Sequence, residues 1–427
     1  MNLRKRTLSP GKTLFLLALI PCLPIYGQQP GNASGHWPMY RGAHSNGVAA
    51  SITSITPWSE GQAPPQVWRR PLGEAFSGLT FSDNMLITGF SEDSTEFLGA
   101  FDPQSGEEIW RYKMNKLYVE EFGNGPRATP AVDAHRVYMF DSWGVMHGVD
   151  LNTGKGLWKN PLAQTFKLKS AQNRGFCASP ILLDGVIIQF VSGLDSTAFM
   201  GLDCLSGHVL WRKGSALPTF SSPALTEILG EKQAVFSSGR VIMRDGKRRG
   251  HYETTALNAK GETLWTGPGL PGIITMPIGT ADNQIFVASQ GRWGSMTLSI
   301  SKENGKYKAE KLWNSRNMRT HFNSAVFHNG FIYGFSNATL ECLNAENGER
   351  QWRQRGLGKS SLIVLGHRLL ILSDKGKVFL VEATPAKYNE LAAFQAIEGK
   401  SWTAPTFVNG KLYVRNQEEM ACYDLSK

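Results

Sequence analysis

Residues 144–158 read Gly-Val-Met-His-Gly-Val-Asp-Leu-Asn-Thr-Gly-Lys-Gly-Leu-Trp, and this stretch decides the fold. It describes two short strands joined by a tight turn. Asp150 and Asn152 can cap the turn's backbone N–H groups, and Gly154 can take the positive φ that a short hairpin demands. Trp158 closes the hairpin with a large apolar ring that needs a neighbouring surface to cover it. The phrase returns as Ala-Phe-Asp-Pro-Gln-Ser-Gly-Glu-Glu-Ile-Trp ending at Trp110 and as Gly-Leu-Asp-Cys-Leu-Ser-Gly-His-Val-Leu-Trp ending at Trp211. Weaker copies end at Trp265, Trp313 and Trp352, and a degenerate one at Phe394.

Working outward, each copy has the same internal order. A Ser/Thr-Pro type of start (Thr129-Pro130, Ser179-Pro180, Ser222-Pro223, Met276-Pro277, Ala404-Pro405) leads an apolar strand. A Gly- or Asn-bearing turn, a second strand and the Asp…Gly…Trp hairpin follow. Together with Trp68, the closing aromatics recur about 47 residues apart, the period of a four-stranded propeller blade. One such twisted sheet cannot bury both faces alone, whereas a radial arrangement buries them and leaves only short edges. Proline fits the innermost strand, whose edge is unpaired. The last copy, 401–425, supplies three strands before the chain stops, and 66–72 (Gln-Val-Trp-Arg-Arg-Pro-Leu) supplies the fourth. The expected fold is therefore all-β: an eight-bladed β-propeller of four-stranded antiparallel blades over 66–427, its ring closed by an N-terminal strand. No helix of consequence is expected.

Ahead of the propeller, Arg4, Lys5, Arg6 and Lys12 precede an apolar run at 13–20, with Gly27 as the cleavage boundary. This reads as a secretory signal peptide over 1–27, its apolar run too short to span a bilayer. Cys22 raises lipidation as the alternative, but Leu19-Ile20-Pro21 is a poor site for it. Residues 28–65 form a polar N-terminal extension without a sustained period. The chain is thus expected to be exported, periplasmic or extracellular, with no transmembrane segment after cleavage, and monomeric.

Lys+Arg 45 against Asp+Glu 35 gives +10; removing the four leader bases leaves 41 − 35 = +6, a mild and dispersed excess. The densest cluster, Lys247-Arg248-Arg249, is read as a solvated turn in a loop, so no nucleic-acid partner is expected. Cys342 and Cys422 sit at a position that Ala100, Gly148, Gly201, Ala256 and Ser299 hold in other copies, where cysteine serves as a small buried residue. Export leaves a Cys177–Cys204 disulfide open.

The spacing Asp-x-x-Ser/Thr-Gly-x-x-x-Trp resembles the repeat of the pyrroloquinoline-quinone (PQQ)-like β-propellers. The opening Trp37-Pro38-Met39-Tyr40-Arg41-Gly42…Gly47 is similar to the start of many secreted bacterial members. The resemblance implies two kinds of function. Quinone-dependent dehydrogenases carry a disulfide between adjacent cysteines over the quinone, with Ca²⁺ held by acidic and amide oxygens. This sequence has no adjacent cysteines, and Glu120, Glu121 and Asp141 show no ligand spacing. The other kind is an eight-bladed propeller that supports outer-membrane protein assembly by binding partner proteins.

A binding scaffold of the bacterial cell envelope without catalysis of its own is therefore expected, with a periplasmic PQQ-dependent oxidoreductase as the alternative. No catalytic, cofactor or metal residues are assigned. A candidate ligand-binding rim is assigned to residues placed just before the inner strands, Arg127, Arg174, Phe176, His321, Lys359 and Trp402. The second-to-third-strand loops add Trp143 and Trp293. A cationic and aromatic mouth suits an envelope protein, an acidic peptide segment or a glycan.

Overall fold

A computed structural model describes residues 35–49, 55, 57–59, 62–193, 196–281 and 283–426. The signal peptide, Cys22 and the leader charges lie outside them. Eight antiparallel four-stranded sheets form the ring. They are blade 1 (80–116), blade 2 (131–160), blade 3 (181–213), blade 4 (224–268), blade 5 (278–315), blade 6 (326–354), blade 7 (361–395) and blade 8 (406–424). Blade 8 takes its outermost strand from the other end of the chain: Gln66–Pro71 pairs with Glu419–Asp424, Trp68 opposite Cys422. Among the described residues the only helical elements are Leu162–Thr165 and a 3-10 turn at Ala171–Asn173.

Two belts explain the repeat. The outer belt is made by the tryptophans, six of which reach across to the next blade's hairpin, whereas the indole N–H of Trp265 donates to Gln233 Oε1 of its own blade at 2.8 Å. The indole N–H of Trp68 donates to Pro103 O (2.9 Å), of Trp110 to Leu151 O (2.8 Å), of Trp158 to Cys204 O (3.3 Å) and of Trp211 to Ala259 O (2.8 Å). Trp313 and Trp352 reach Ala345 O and Thr384 O in the same way, each at 2.8 Å. Asp150 Oδ1 accepts Thr153 N–H (2.9 Å) and so shapes the turn that receives Trp110. Gly154 sits at φ 69°, and a Cβ there would lie 2.7 Å from the Trp110 ring. Two demands, backbone and contact, thus fall on one glycine. Each Trp also faces a small residue of its own sheet, as Trp158 faces Gly148.

The inner belt is made by hydroxyls just ahead of the inner strands, three of which (Thr129, Ser179, Ser222) precede a proline. Thr129 Oγ1 accepts Gly78 N–H, Ser179 Oγ accepts Thr129 N–H and Ser222 Oγ accepts Ser179 N–H, each at 2.9 Å. Ser324 Oγ accepts Met276 N–H at 3.2 Å. Each hydroxyl satisfies an inner-edge donor of the preceding blade that no strand pairs.

Four expectations need correction or closing. In blade 5 the residue facing Trp313 is Thr297, not Ser299, because this hairpin runs on to Glu303↔Lys306 and shifts the spacing. In blade 7 the bulge that elsewhere comes just before each Trp comes just before Ala392, which faces Leu380. Phe394 is therefore not the closing aromatic: Leu380 takes the volume and Ala392 the small position. Lys247-Arg248-Arg249 is not in a loop but opens the strand Lys247–Leu257. Cys177, Cys204, Cys342 and Cys422 are all free thiols.

The stretch 35–49 of the extension is built into the propeller. Trp37 and Phe81 exchange both backbone hydrogen bonds (2.8 and 2.9 Å), and Pro38 O accepts Val132 N–H at 2.8 Å. Ser45 Oγ accepts Leu225 N–H, and Ala49 N–H donates to Val364 O at 2.9 Å. The Arg41 guanidinium, 2% exposed, donates to Ala325 O at 2.7 Å. The segment thereby reaches blades 1, 2, 4 and 7 and the start of blade 6, supplying partners to inner edges that the fold leaves open.

Candidate functional site

Four of the expected rim residues, Arg127, Arg174, His321 and Trp402, line one cup of about 350 Å³ at the channel mouth. A narrower space of about 120 Å³ continues inward to Tyr40, so the N-terminal segment forms the floor. The lining follows a rule. Two positions before each inner-belt residue (Gly78, Thr129, Ser179, Ser222, Met276, Ser324, Ala404) stand Phe76, Arg127, Cys177, Phe220, Ile274, Phe322 and Trp402, and all seven line the cup. One side chain per blade is aimed at the axis by the same backbone geometry.

The aromatic members touch one another. Trp402 stacks on Phe76 (centroids 5.6 Å, planes 20° apart) and lies 5.2 Å from Phe322 and 6.4 Å from Phe122. Cations sit on these faces: Arg174 over Phe122 at 4.2 Å, Lys400 over Trp402 at 4.9 Å and Arg127 over Phe76 at 5.5 Å. The ring quadrupole favours this placement and keeps the cations beside apolar surface.

Glu120 is the one carboxylate that lines the cup among the described residues. Its Oε2 lies 3.2 Å from Arg127 Nη2 and its Oε1 3.5 Å from Arg174 Nε; Glu121 holds Arg174 Nη2 at 3.2 Å. Asp141, the third acid singled out, is buried elsewhere, 3.0 Å from His147 Nε2. The described residues contain no group of three or more His, Cys, Asp or Glu placed to hold a metal ion. Burial pushes the Cys177 thiol up to about 12, so it is protonated at neutral pH and unsuited to nucleophilic work. Burial and the Lys359 charge lower His321, which keeps it neutral, and its Nδ1 is buried without a hydrogen-bond partner.

The other expected rim residues lie elsewhere. Phe176 is one residue out of phase with Cys177, so it points into the core, edge-on to Phe140 at 5.2 Å. Trp143 covers the seam between blades 1 and 2, its indole N–H donating to Lys116 O (2.8 Å) and its ring against Tyr118. Trp293 is exposed beside Arg292 and does not line the cup. Lys359 takes the axial offset in blade 7 without lining the cup, and reaches it only through its charge on His321. Phe76, Phe122, Phe220, Ile274, Phe322 and Tyr40 are the residues that sequence reasoning missed. The fixed offset from the inner belt would have found four of the six.

The sequence model of the family described as outer membrane protein assembly factor BamB matches residues 94–354. The BamB of Yersinia pestis is 20% identical over 321 residues, covering 72% of this chain and 77% of that one. A 1-butanol dehydrogenase (cytochrome c) of Thauera butanivorans is 26% identical over 202 residues, 43% of this chain but only 26% of the dehydrogenase. Among solved structures, BamB from Moraxella catarrhalis superposes with a TM-score of 0.58 at 15% identity, over 85% of this chain and all of that one. The quinohemoprotein alcohol dehydrogenase of Comamonas testosteroni gives 0.64 at 11% identity, over 92% of this chain and 80% of that one. At such identities the structures show the shared fold alone.

Proposed function

Since the chain belongs to the family described as outer membrane protein assembly factor BamB, we propose that it is an exported scaffold of the cell envelope that binds a partner protein and carries out no chemistry of its own. The observation that carries this reading is the cup. Phe76, Phe122, Phe322 and Trp402 form a contiguous aromatic surface with Arg127, Arg174 and Lys400 on its faces. Such a surface takes an extended segment that brings its own acids and aromatic or apolar side chains. Buried aromatics and arginines supply most of the binding energy at protein interfaces, because they bury large areas at low entropic cost. The rigid ring holds them in place before the partner arrives, which reduces the ordering cost of association.

A glycan could stack on the same rings. The family's description as an assembly factor favours a protein partner, with an acidic peptide segment as the local determinant. The reading places the protein in the periplasm or outside the cell; no helix among the described residues is long and apolar enough to cross a membrane.

The oxidoreductase alternative asks for a quinone held against Ca²⁺. The residues present do not suit that pair. Ca²⁺ takes six to eight oxygen ligands, whereas the cup offers the amides of Gln172 and Gln290 and one carboxylate, Glu120, with both its oxygens facing guanidiniums. Two arginines would repel a divalent cation there. Titration of the purified chain with PQQ and Ca²⁺ is therefore expected to leave Tm unchanged, because only a ligand of the folded state raises it. A Tm that climbs with quinone concentration, with quinone absorbance retained after dialysis, would overturn the scaffold reading.

A further inference from the structure

Blade 4 carries a feature that the cup does not use. Its second and third strands, Glu231–Arg244 and Lys247–Leu257, are far longer than their sheet neighbours. Ala224–Ile228 pairs only as far as Val235, and Thr263–Pro268 only as far as Glu253. Beyond Gly239 and Tyr252 the two long strands continue alone, pair by pair, to Arg244↔Lys247. Asp245 and Gly246, at φ 50° and 69°, close them in a two-residue turn of the type whose twist matches a hairpin. The result is a free ribbon reaching roughly 17 Å past the sheet. Because it joins the second and third strands, it leaves the ring on the same face as the cup.

The ribbon is amphipathic. Residues paired across an antiparallel ladder share a face, and faces alternate along each strand. The pairs Gly239↔Tyr252, Val241↔Gly250 and Met243↔Arg248 therefore put Tyr252, Val241 and Met243 on one face. Met243 is 67% exposed, Val241 44% and Tyr252 37%. The Tyr252 ring lies flat along that face, over Gly239 and Gly250, where a Cβ would come within 2.8 and 2.6 Å of it. The pairs Arg240↔His251, Ile242↔Arg249 and Arg244↔Lys247 put five basic residues and Ile242 on the other face, while Arg248, opposite Met243, stands near the tip of the apolar one. Glu253 lies near Arg240 (3.7 Å) and His251 (2.8 Å). Arg244, Lys247, Arg248 and Arg249 have no ion-pair partner among the described residues, with Asp245 the one acid at the tip. At the ribbon's root Leu217 N–H donates to Gly239 O (2.7 Å), and its side chain is 44% exposed.

We propose that this ribbon is a docking arm for an anionic lipid surface, lying in the headgroup layer with Tyr252, Val241 and Met243 towards the acyl chains, Arg244, Lys247 and Arg249 among the phosphates, and Arg248 reaching back to them from the tip beside Met243. The segregation selects this occupant. A strand added by a partner protein would read the ribbon's edges and would need no apolar face set against a cationic one. An interfacial element needs both, since its binding sums buried apolar area and attraction to anionic headgroups. Arginine and lysine beside an exposed methionine and tyrosine supply the two contributions on one short hairpin. With the arm on the cup's face, docking turns the cup towards the bilayer.

The test is co-sedimentation of the full chain with vesicles of phosphatidylglycerol mixed into phosphatidylcholine, against phosphatidylcholine alone. The expected result is partitioning at least about tenfold stronger onto the anionic vesicles, weakened by added salt. Arg244→Glu with Arg248→Glu removes that preference, and Val241→Ser with Met243→Ser lowers binding to both vesicles. All four positions are exposed on the free ribbon, so Tm stays at the wild-type value and loss of folding is separable. Alanine at Trp402 leaves vesicle binding intact, which distinguishes failure of the arm from failure of the cup. Equal partitioning onto both vesicles overturns the proposal, as does undiminished binding by the charge-reversed arm. Binding to polyglutamate but not to the anionic vesicles also overturns it and puts an acidic protein on the arm instead.

Discussion

Replacing Arg415 by leucine is expected to lower the unfolding free energy by about 3–5 kcal/mol. Arg415 ends the strand Lys411–Arg415 of blade 8 and is 1% exposed. Its guanidinium crosses to blade 1, donating to Gly89 O (2.8 Å), Thr88 Oγ1 (2.9 Å) and Gly73 O (3.0 Å). Burial draws it down to about 9, so it is still protonated at neutral pH. Leucine keeps some volume but no donor, and the buried acceptors Gly89 O and Thr88 Oγ1 lose this partner at about 1–3 kcal/mol each, with half-buried Gly73 O losing less. Relief from burying a charge offsets part of this. Arg415→Lys keeps the charge but not the planar fork and should fall between the two. Urea unfolding at neutral pH reads the difference; a loss under about 1 kcal/mol would mean that the seam is held by Gln66–Pro71 and Trp68 without Arg415.

The second large effect is a pH dependence carried by Glu96. This side chain is fully buried at the blade 1–2 seam, its oxygens accepting Tyr118 N–H (3.3 Å) and Ser142 N–H (3.4 Å). Burial lifts its carboxyl from 4.5 to about 7, opposed by the hydrogen bond from Ser142 and reinforced by Asp141. The folded-state value thus lies above the unfolded one. Between those two values the folded chain holds a proton that the unfolded chain has lost. The stabilising contribution is complete below about pH 4.5 and is lost as pH rises through 7, a change of roughly 3 kcal/mol. Tyr118 opens the loop that carries Glu120 and Phe122, so the loss is felt beside the cup. Denaturant unfolding at pH 5 and pH 8 is expected to show a smaller loss for Glu96→Gln than for the wild type. Parallel curves for the two would remove Glu96 as the cause.

The ring was legible in the sequence because its two belts are periodic. An indole that must meet the next hairpin fixes Asp, Gly and Trp at constant spacing, and the closing strand could be found from the one copy that lacked it. Where a hairpin lengthened in blade 5, or large and small exchanged places at Leu380 and Ala392, the spacing misled. The cup was half legible. Its cations and Trp402 stood out by residue type, whereas Phe76, Phe220 and Phe322 read as ordinary core until the axial offset was known. Phe176 shows the cost of a one-residue slip, since neighbouring side chains on an extended strand point opposite ways. The floor was not legible, because 35–49 has no period: it follows the inner edges of several blades rather than a sheet of its own.

The central claim is that the cup binds an acidic segment of a partner protein. Calorimetric titration with a peptide alternating glutamate and tyrosine, beside its lysine–tyrosine counterpart, tests it most directly. The account predicts that the acidic peptide binds and the basic one does not. It also predicts that alanine at Arg174, His321 and Trp402 together weakens binding at least about tenfold, or 1.4 kcal/mol. Equal binding of both peptides, or undiminished binding by the triple variant, would contradict it.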